Sequence, residues 1–357
     1  MKTDPAQKLL PKWWDPDRIA LLLPKLRTRN QILSVIKDWF RSEEFIEVET
    51  PVLQDSPGLE PHLIAFQTTL LEPFSASGST KYLQSSPEYA MKKLLVAGMT
   101  KIFQVARCYR NAERSMIHHP EFTMLEWYRS GATWRQTAND TEALIKAAAS
   151  LTGRKEVNFK NNLCDLRKPF DYLSVTEAFL KFAKIDLRLS LIDPNFPDRS
   201  KLAKMAKDSG IRIENEDGWE VIFDRILIEK VEPKLGLGRG TVLHDYPLPL
   251  AALARGSSDD PRVAERFEVY ICGVELANGF GELSDHVEQR QRFESDLKKK
   301  KALGMAVYPI DEDFLAALEV GMPSSSGVAL GVDRLVMLLV GAKCIQDVIW
   351  APIITDS

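Results

Sequence analysis

The chain has 357 residues, of which 45% are hydrophobic and 27% are charged, a composition that excludes fibrous and disordered proteins. Its 47 Lys and Arg side chains against 50 Asp and Glu give a net charge of -3, so the chain as a whole does not attract a polyanion such as nucleic acid. Four cysteines far apart in sequence, and no apolar run long enough to span a bilayer, predict a cytoplasmic protein with free thiols, no structural zinc and no membrane contact.

The first part of the chain is expected to begin with an irregular arm and to continue into helices and strands. Four prolines in residues 1–26 predict the arm, and residues 27–357 are expected to form one domain. Apolar residues at helical spacing predict a helix over residues 29–41, which leads into an alternating strand over residues 45–49. Three further elements are predicted: a strand at 83–86, a helix at 88–97 and a strand at 102–110.

Two hairpins are predicted on either side of a long helical stretch. Residues 122–128 alternate and pair with strand 102–110 across a loop at 111–121, and residues 266–272 and 274–280 turn at Cys272 and Gly273. Residues 135–230 are expected to be mostly helical scaffold, with loops at 193–198 and 214–218. The charged run 284–303 predicts a solvated helix, and the glycine-bearing run 324–331 leads into an apolar helix at 332–340. Helices and antiparallel strands without a steady βαβ alternation predict the α+β class.

Three stretches carry residues suited to chemistry: residues 103–128, residues 266–282 and residues 327–334. Each has an ordinary explanation when it is taken alone. An arginine at a strand end is usually a surface residue, a glutamate among aromatics can be a buried pair, and two glycines before a helix often form only a turn. Their combination in one chain favours a function.

In this order, the stretches resemble the three motifs of the class II aminoacyl-tRNA synthetases, and they are most similar to the lysyl branch. Residues 47–51 resemble the first motif, residues 109–128 the second and residues 327–338 the third. The resemblance extends from about residue 27 to residue 352. It implies a class II synthetase-like catalytic domain over residues 27–357, with a mostly antiparallel sheet flanked by helices and the active site on the sheet face. It also implies a homodimer with Pro51 near the interface.

Within the lysyl branch, residues 86–89, 122–128 and 262–270 are similar to a truncated group of paralogues. That similarity implies ATP-dependent, AMP-forming activation of (R)-β-lysine and its transfer to a lysine side chain of translation elongation factor P. Only about 26 residues precede the first catalytic helix, whereas an anticodon-binding OB barrel needs on the order of 60, so tRNA is not the expected acceptor. Two alternatives remain: a lysine-activating enzyme that acts on tRNA or another acceptor, and a catalytically silent paralogue that binds lysine or nucleotide.

Arginines are the expected catalytic residues, because activation brings a carboxylate against the α-phosphate of ATP and both charges must be screened. The resemblance implies that Arg110 bridges the α-phosphate and the substrate carboxylate. It also implies that Phe122 and Arg334 sandwich the adenine and that His118 approaches the terminal phosphates. Glu113 is assigned to ATP binding as well, although the family usually has its glutamate one residue earlier, where Ala112 stands here.

Glu268 and Glu275 are the expected magnesium ligands. If Cys272 and Gly273 form a two-residue turn, Tyr270 faces Glu275 and Glu268 lies diagonally from Glu275, roughly 7 Å away. Two carboxylates at this separation repel each other unless a cation lies between them, and Mg²⁺ on ATP phosphates is bound through one or two carboxylates. The family has its metal ligands at these positions. The alternative is a pair of solvated glutamates.

The strand after Glu275 is predicted to contain an irregularity. Strict alternation would put Asn278, Phe280 and Glu282 on the opposite face from Glu275, whereas the resemblance requires all of them to line one pocket. We therefore expect a bulge or bend between Glu275 and Gly279.

The resemblance also implies a set of substrate contacts. Glu126 and Glu282 are expected to receive the side-chain ammonium of a lysine-like substrate together with Tyr128, while Glu88 holds the other amino group. Asn278 is expected to bind the carboxylate. Ala329 stands where true lysyl-tRNA synthetases have glycine, which is consistent with a pocket reshaped around a β-amino acid.

Overall fold

The computed structural model describes residues 12–74 and 77–353, and within these ranges the chain forms nine α-helices and thirteen strands. The helices are α1 (Pro16–Ser42), α2 (Glu88–Val96), α3 (Trp134–Leu151), α4 (Val175–Ala178), α5 (Arg199–Asp208), α6 (Trp219–Ile226), α7 (His286–Ala302), α8 (Glu312–Gly321) and α9 (Val332–Val340). The strands are β1 (Ile46–Glu47), β2 (Leu53–Gln54), β3 (Gln67–Leu71), β4 (Gly78–Leu83), β5 (Lys101–Tyr109), β6 (Glu121–Ser130), β7 (Glu156–Phe159), β8 (Asn162–Asp165), β9 (Asp171–Ser174), β10 (Thr241–Pro247), β11 (Val263–Ile271), β12 (Val274–Gly281) and β13 (Ser325–Gly331).

The main sheet has eight strands in the order β1-β5-β6-β13-β12-β11-β10-β9. Its five inner pairs are antiparallel, and the outermost pair on each side, β1 with β5 and β9 with β10, is parallel. The prediction of an α+β fold on a mostly antiparallel sheet is therefore confirmed. A three-stranded sheet of β2, β4 and β3 and a hairpin of β7 and β8 lie outside it.

Helix α1 begins at Pro16, so the prediction of an irregular arm is wrong for residues 16–26, and its first 11 residues lie outside the described part of the chain. The carboxylate of Asp15 accepts hydrogen bonds from the amides of Asp17 and Arg18 at 3.0 and 3.2 Å, which caps the helix. Proline at the first helical position is compatible with this start, because its missing N–H would have no partner there. The expected boundary after residue 26 thus falls inside α1.

The long stretch of residues 135–230 contains more strand than predicted. Strands β7, β8 and β9 interrupt the helices, and β9 completes the edge of the main sheet. These strands have four residues each, which is the lower limit of length at which alternation indicates a strand. The strand predicted at residues 83–86 is also wrong, since β4 ends at Leu83.

One face of the main sheet is covered by helices α1, α3 and α9. Ile36 of α1, Leu144 of α3 and Leu335 of α9 belong to one buried cluster, together with Trp127 of β6 and Val328 of β13. Because side chains alternate along a strand, the neighbours of Trp127 and Val328 point to the opposite face. That opposite face is called the cleft face below.

A buried ion pair fastens the covering helices to the sheet. The guanidinium of Arg29 in α1 pairs with the carboxylate of Asp333 at the start of α9, and both side chains are almost fully buried. The same carboxylate accepts a hydrogen bond from the amide of Thr123 in β6 at 2.7 Å, and Arg29 donates to the hydroxyl of Thr123 at 2.8 Å. One network therefore joins α1, β6 and α9 directly behind the cleft face.

The predicted bulge lies in β12. Cys272 and Gly273 form the turn, with φ angles of 55° and 74° that suit a tight two-residue hairpin. Tyr270 pairs with Glu275, but Val269 pairs with Ala277, so Leu276 has no partner opposite it. Leu276 and Ala277 both lie in the helix-covered core. Because Leu276 is an extra residue, Glu275 and the even-numbered residues from Asn278 onward lie on the same face of the sheet.

Candidate active site

Two rows of side chains cross the cleft face in the pairing register. All of them except Gly327 and Arg266 are predicted site residues. The first row is Glu126, Ala329, Asn278 and Glu268, and the second row is Tyr128, Gly327, Phe280 and Arg266. The second row requires glycine at position 327, because a Cβ there would press on the Tyr128 ring and lie 2.6 Å from Glu282 Oε1.

Glu126 is a carboxylate in the floor of the cleft, with 1% of its surface exposed. It accepts hydrogen bonds from the hydroxyls of Ser86 and, at 2.9 Å, of Tyr128. Burial raises the pKa of Glu126 to about 8, and the negative charge of Glu88 adds to the rise, while Ser86, Tyr128 and Lys92 oppose it. Without a cation in the cleft, Glu126 therefore holds its proton at neutral pH.

Glu88 and Glu282 lie on either side of a lysine that sequence reasoning missed. The Lys92 ammonium is fully buried and lies 2.6 Å from Glu88 Oε1 and 2.6 Å from Glu282 Oε2. Burial raises the pKa of Glu282 to about 7, an effect that the charge of Lys92 reduces and that of Glu88 increases. Lys92 stands four residues after Glu88 in α2, and this spacing of opposite charges was the available signal.

Asn278, Phe280 and Ala329 line the middle of the cleft. The Oδ1 atom of Asn278 is buried and has no hydrogen-bond partner among the described residues. Ala329 lies between Glu126 and Asn278 in the register, and it packs against Ala106, Cys108 and Met124 with Phe122. An unsatisfied buried oxygen of this kind is suited to a ligand that brings a donor.

Glu268 is held by three donors. Both Tyr246 and Tyr270 donate a hydroxyl to its Oε2 at 2.6 Å, and Arg266 donates to its Oε1 at 2.7 Å. None of these three residues was predicted for the site. They fix the orientation of the carboxylate, which is the usual role of partners behind a metal ligand.

Glu275 lies on the same face, and its side chain is 39% exposed. Arg334 donates to its backbone carbonyl at 2.8 Å and to its Oε2 at 3.3 Å. Desolvation raises the pKa of Glu275, and the charge of Glu268 adds to the rise. Two carboxylates that repel each other in this way fit a divalent cation.

No group of three or more His, Cys, Asp or Glu side chains in residues 12–74 and 77–353 is arranged to hold a metal ion by itself. Mg²⁺ on a nucleotide does not need such a group, because phosphate and water oxygens complete its coordination shell. The pair Glu268 and Glu275 thus fits Mg²⁺ shared with phosphates and does not fit an all-protein site.

The other end of the cleft is basic and aromatic. Arg110 lies with its guanidinium 5.3 Å from the centre of the Phe122 ring, and its Nε is buried without a partner among the described residues. Arg334 donates to His118 Nε2 at 2.7 Å. Burial, together with the charges of Arg334 and Arg110, lowers the pKa of His118 to about 4, so the imidazole is neutral at pH 7.

The predicted sandwich of adenine between Phe122 and Arg334 stays a prediction, since Arg110 lies over the ring in this structure. Glu113 is half-buried in the loop between β5 and β6 and makes no polar contact within the described part of the chain. The structure therefore brings the other predicted residues onto one cleft face and leaves Glu113 beside it.

Comparison with known proteins identifies the family. The sequence model described as tRNA synthetases class II (D, K and N) matches residues 18–355. The chain belongs to this family. It is 40% identical over 343 residues to a protein of Proteus mirabilis named elongation factor P--(R)-beta-lysine ligase, and the match covers 95% of this chain and 97% of that relative. No helix in the described residues of this family member is long and apolar enough to cross a membrane.

The raised pKa of Glu126 predicts a pH-dependent cost in stability. Below pH 4.5 the carboxyl is neutral in both states, and above about pH 8 its ionised form is penalised only in the folded protein. Glu126→Gln should therefore stabilise the ligand-free protein increasingly between pH 5 and pH 8.5, with a slope of at most about 1.4 kcal/mol per pH unit. Urea unfolding of wild type and variant across this range measures the difference.

Glu319→Gln is the matched control, because Glu319 is exposed on α8. Its effect on the free energy of unfolding should be small and independent of pH. A gain from Glu126→Gln that is the same at pH 5 and pH 8.5 would show that Glu126 is ionised in the folded protein throughout.

Proposed function

We propose that the protein activates (R)-β-lysine with ATP as an aminoacyl adenylate and transfers the β-lysyl group to a lysine side chain of translation elongation factor P. The observation that carries the proposal is a cleft with two buried carboxylates, Glu126 and Glu282, and the half-buried Glu88 at one end and Arg110 and Arg334 at the other. The near full-length match to a ligase of that name supports the choice of substrate and acceptor.

The acidic end suits a substrate with two ammonium groups. Burying an ammonium requires opposite charge and hydrogen bonds, and the cleft supplies both through Glu126, Tyr128 and Glu282 for one group and Glu88 for the other. Asn278 takes the carboxylate side, where its side-chain Nδ2 donates to a carboxylate oxygen. Phe280 and the methyl of Ala329 shape the wall between the ends.

The basic end suits the nucleotide. Arg110, with a buried Nε in need of an acceptor, contacts the α-phosphate and the substrate carboxylate and so brings the reacting atoms together. Phe122 and Arg334 bind adenine, and His118 contacts the terminal phosphates. Glu268 and Glu275 hold Mg²⁺, which when bound supplies positive charge to the triphosphate and pyrophosphate.

Transfer follows when a neutral lysine amine of the acceptor attacks the carbonyl carbon of the adenylate. An amide bond forms, the bond to AMP breaks so that AMP leaves, and the attacking nitrogen releases one proton to solvent. The cleft is open at Glu275, whose side chain is 39% exposed, so an acceptor side chain has an approach from solvent.

We also propose that the protein works as a cytoplasmic homodimer. Strand β1 lies at the edge of the sheet with 55% of Ile46 exposed, and Val52 and Leu53 after it are 37% and 42% exposed. An apolar edge of this kind is typical of a surface that a second subunit covers. All four cysteines are free thiols, in keeping with a reducing compartment.

Two assays test the function. Pyrophosphate exchange should be faster with (R)-β-lysine than with α-lysine, and labelled β-lysine should be transferred to elongation factor P and not to tRNA. No exchange with either amino acid would support the silent paralogue, and transfer of α-lysine to tRNA would support a synthetase-like enzyme. Either result would overturn the proposal.

The division of the acids into metal and substrate ligands makes a separate prediction. Glu275→Gln should slow adenylate formation and weaken its magnesium dependence while the preference among amino acids stays the same. Glu282→Gln should instead cost roughly 2 to 5 kcal/mol of substrate binding, because an amide does not compensate a desolvated ammonium. Exchange rates over a grid of magnesium and amino-acid concentrations separate the two effects. The division is wrong if Glu275→Gln changes only the apparent amino-acid affinity.

A further inference from the structure

Lys92 is a charged residue of the cleft that the proposed reaction does not use. Its side chain is completely buried, yet it is positively charged and lies at the acidic end of the cleft. A buried ammonium costs several kcal/mol unless it is paired. Here two carboxylates 2.6 Å away, Glu88 and Glu282, provide the pairing.

Lys92 connects two separate parts of the fold. Glu88 is one turn before it in α2, whereas Glu282 follows β12 on the sheet. The ammonium donates a hydrogen bond to Glu88 and forms an ion pair with Glu282, so the two contacts hold both carboxylates relative to the floor of the cleft. No other positive side chain in the described residues forms an ion pair with Glu88 or Glu282.

The charges at this end can be counted. Glu88, Glu126 and Glu282 against Lys92 leave a net charge of about -2 when all four are ionised, which balances the +2 charge of two substrate ammonium groups. Without Lys92 the same carboxylates would carry a third unbalanced charge in a desolvated place. Such a cluster takes up a proton instead, as paired carboxylates do.

We propose that Lys92 is a positioning residue that holds Glu88 and Glu282 in place and favours the ionised form of Glu282, so that the cleft accepts an amino acid with two ammonium groups at neutral pH. The inference rests on the proposed function. Desolvation acts to lower the pKa of Lys92, but the charges of Glu282 and Glu88 outweigh it and raise the pKa, so the ammonium persists throughout the neutral range.

Several other charged or titratable groups face this end of the cleft and enter the pH dependence. Glu126 and Tyr128 project from β6, Arg255 acts on Glu282 from the segment before β11, and Glu60 acts on Glu88. All of them are present in every variant compared below. A change in the pH profile is therefore assigned to position 92.

Lys92→Met tests the proposal, because methionine has a similar volume and no charge. The measurement is the KM for β-lysine in pyrophosphate exchange from pH 6.5 to pH 9. At pH 7 the KM of the variant should exceed that of wild type by about tenfold or more, the effect of one pKa unit on the ionised fraction. The ratio of the variant KM to the wild-type KM should shrink toward pH 9, because the carboxylates of the variant then lose the proton that they take up in the absence of Lys92. The KM for ATP should not change.

Controls separate charge from packing. Lys93→Met changes the neighbouring lysine, which pairs with Asp311 and Asp313 away from the cleft, and should leave the pH profile of the KM unchanged. Lys92→Arg should restore the wild-type profile even if its kcat is lower. If Lys92→Met does not fold, Lys92→Met with Glu88→Gln removes both opposing charges, and its KM should be raised with the same pH profile as that of wild type.

Four results would overturn the proposal. If the KM of Lys92→Met at pH 7 equals that of wild type, Lys92 does not contribute to substrate binding. If it is below that of wild type, the Lys92 ammonium competes with the substrate. A raised KM with an unchanged pH profile in Lys92→Met, or a double variant whose pH profile differs from that of wild type, would leave Lys92 a packing role only. If the wild-type protein itself shows no pyrophosphate exchange, the proposed function fails, and this inference fails with it. That result is obtained before any variant is compared, so it is distinct from the four results above.

Discussion

The bulge at Leu276 is the constraint on which the rest of the site depends. In a regular strand, Glu275 would point away from Asn278, Phe280 and Glu282, and the proposed metal and substrate ends of the cleft would lie on opposite faces of the sheet. The unpaired Leu276 turns into the core, where it is 2% exposed, so its insertion is stabilised by apolar burial. One extra residue thus makes a single cleft face available to both partners of the reaction.

The cleft that results is unfavourable for stability when it is empty. The pKa values of Glu126 and Glu282 are raised to about 8 and about 7, because these carboxylates are buried with too few cations around them. Each unit by which the pKa in the folded protein exceeds the unfolded value lowers the free energy of unfolding by about 1.4 kcal/mol when the group is ionised, near and above neutral pH. A cationic substrate removes this cost when it binds. The same burial that destabilises the free protein therefore selects the ligand.

The sequence predicted those parts of the molecule that rest on local rules. The tight turn at residues 272–273, the alternation of the hairpins and the order of the three motifs were sufficient to place Glu268 and Glu275 and to require a bulge. Position 92 was missed because an internal lysine in a helix is usually solvated, and only the fold brings Glu282 to it. Strand β13 was also missed, because it contains few residues of high β propensity, and its Gly327 is required by the close approach of the Tyr128 ring.

The most direct test of the account is a crystal structure with a non-hydrolysable sulfamoyl analogue of β-lysyl adenylate. The account predicts that the ligand lies on the cleft face across β6, β13, β12 and β11. Its two ammonium groups should contact Glu88, Glu126 and Glu282, and its sulfamoyl group should contact Arg110. A ligand bound elsewhere, or bound on this face with its ammonium groups turned away from the three carboxylates, would contradict the account.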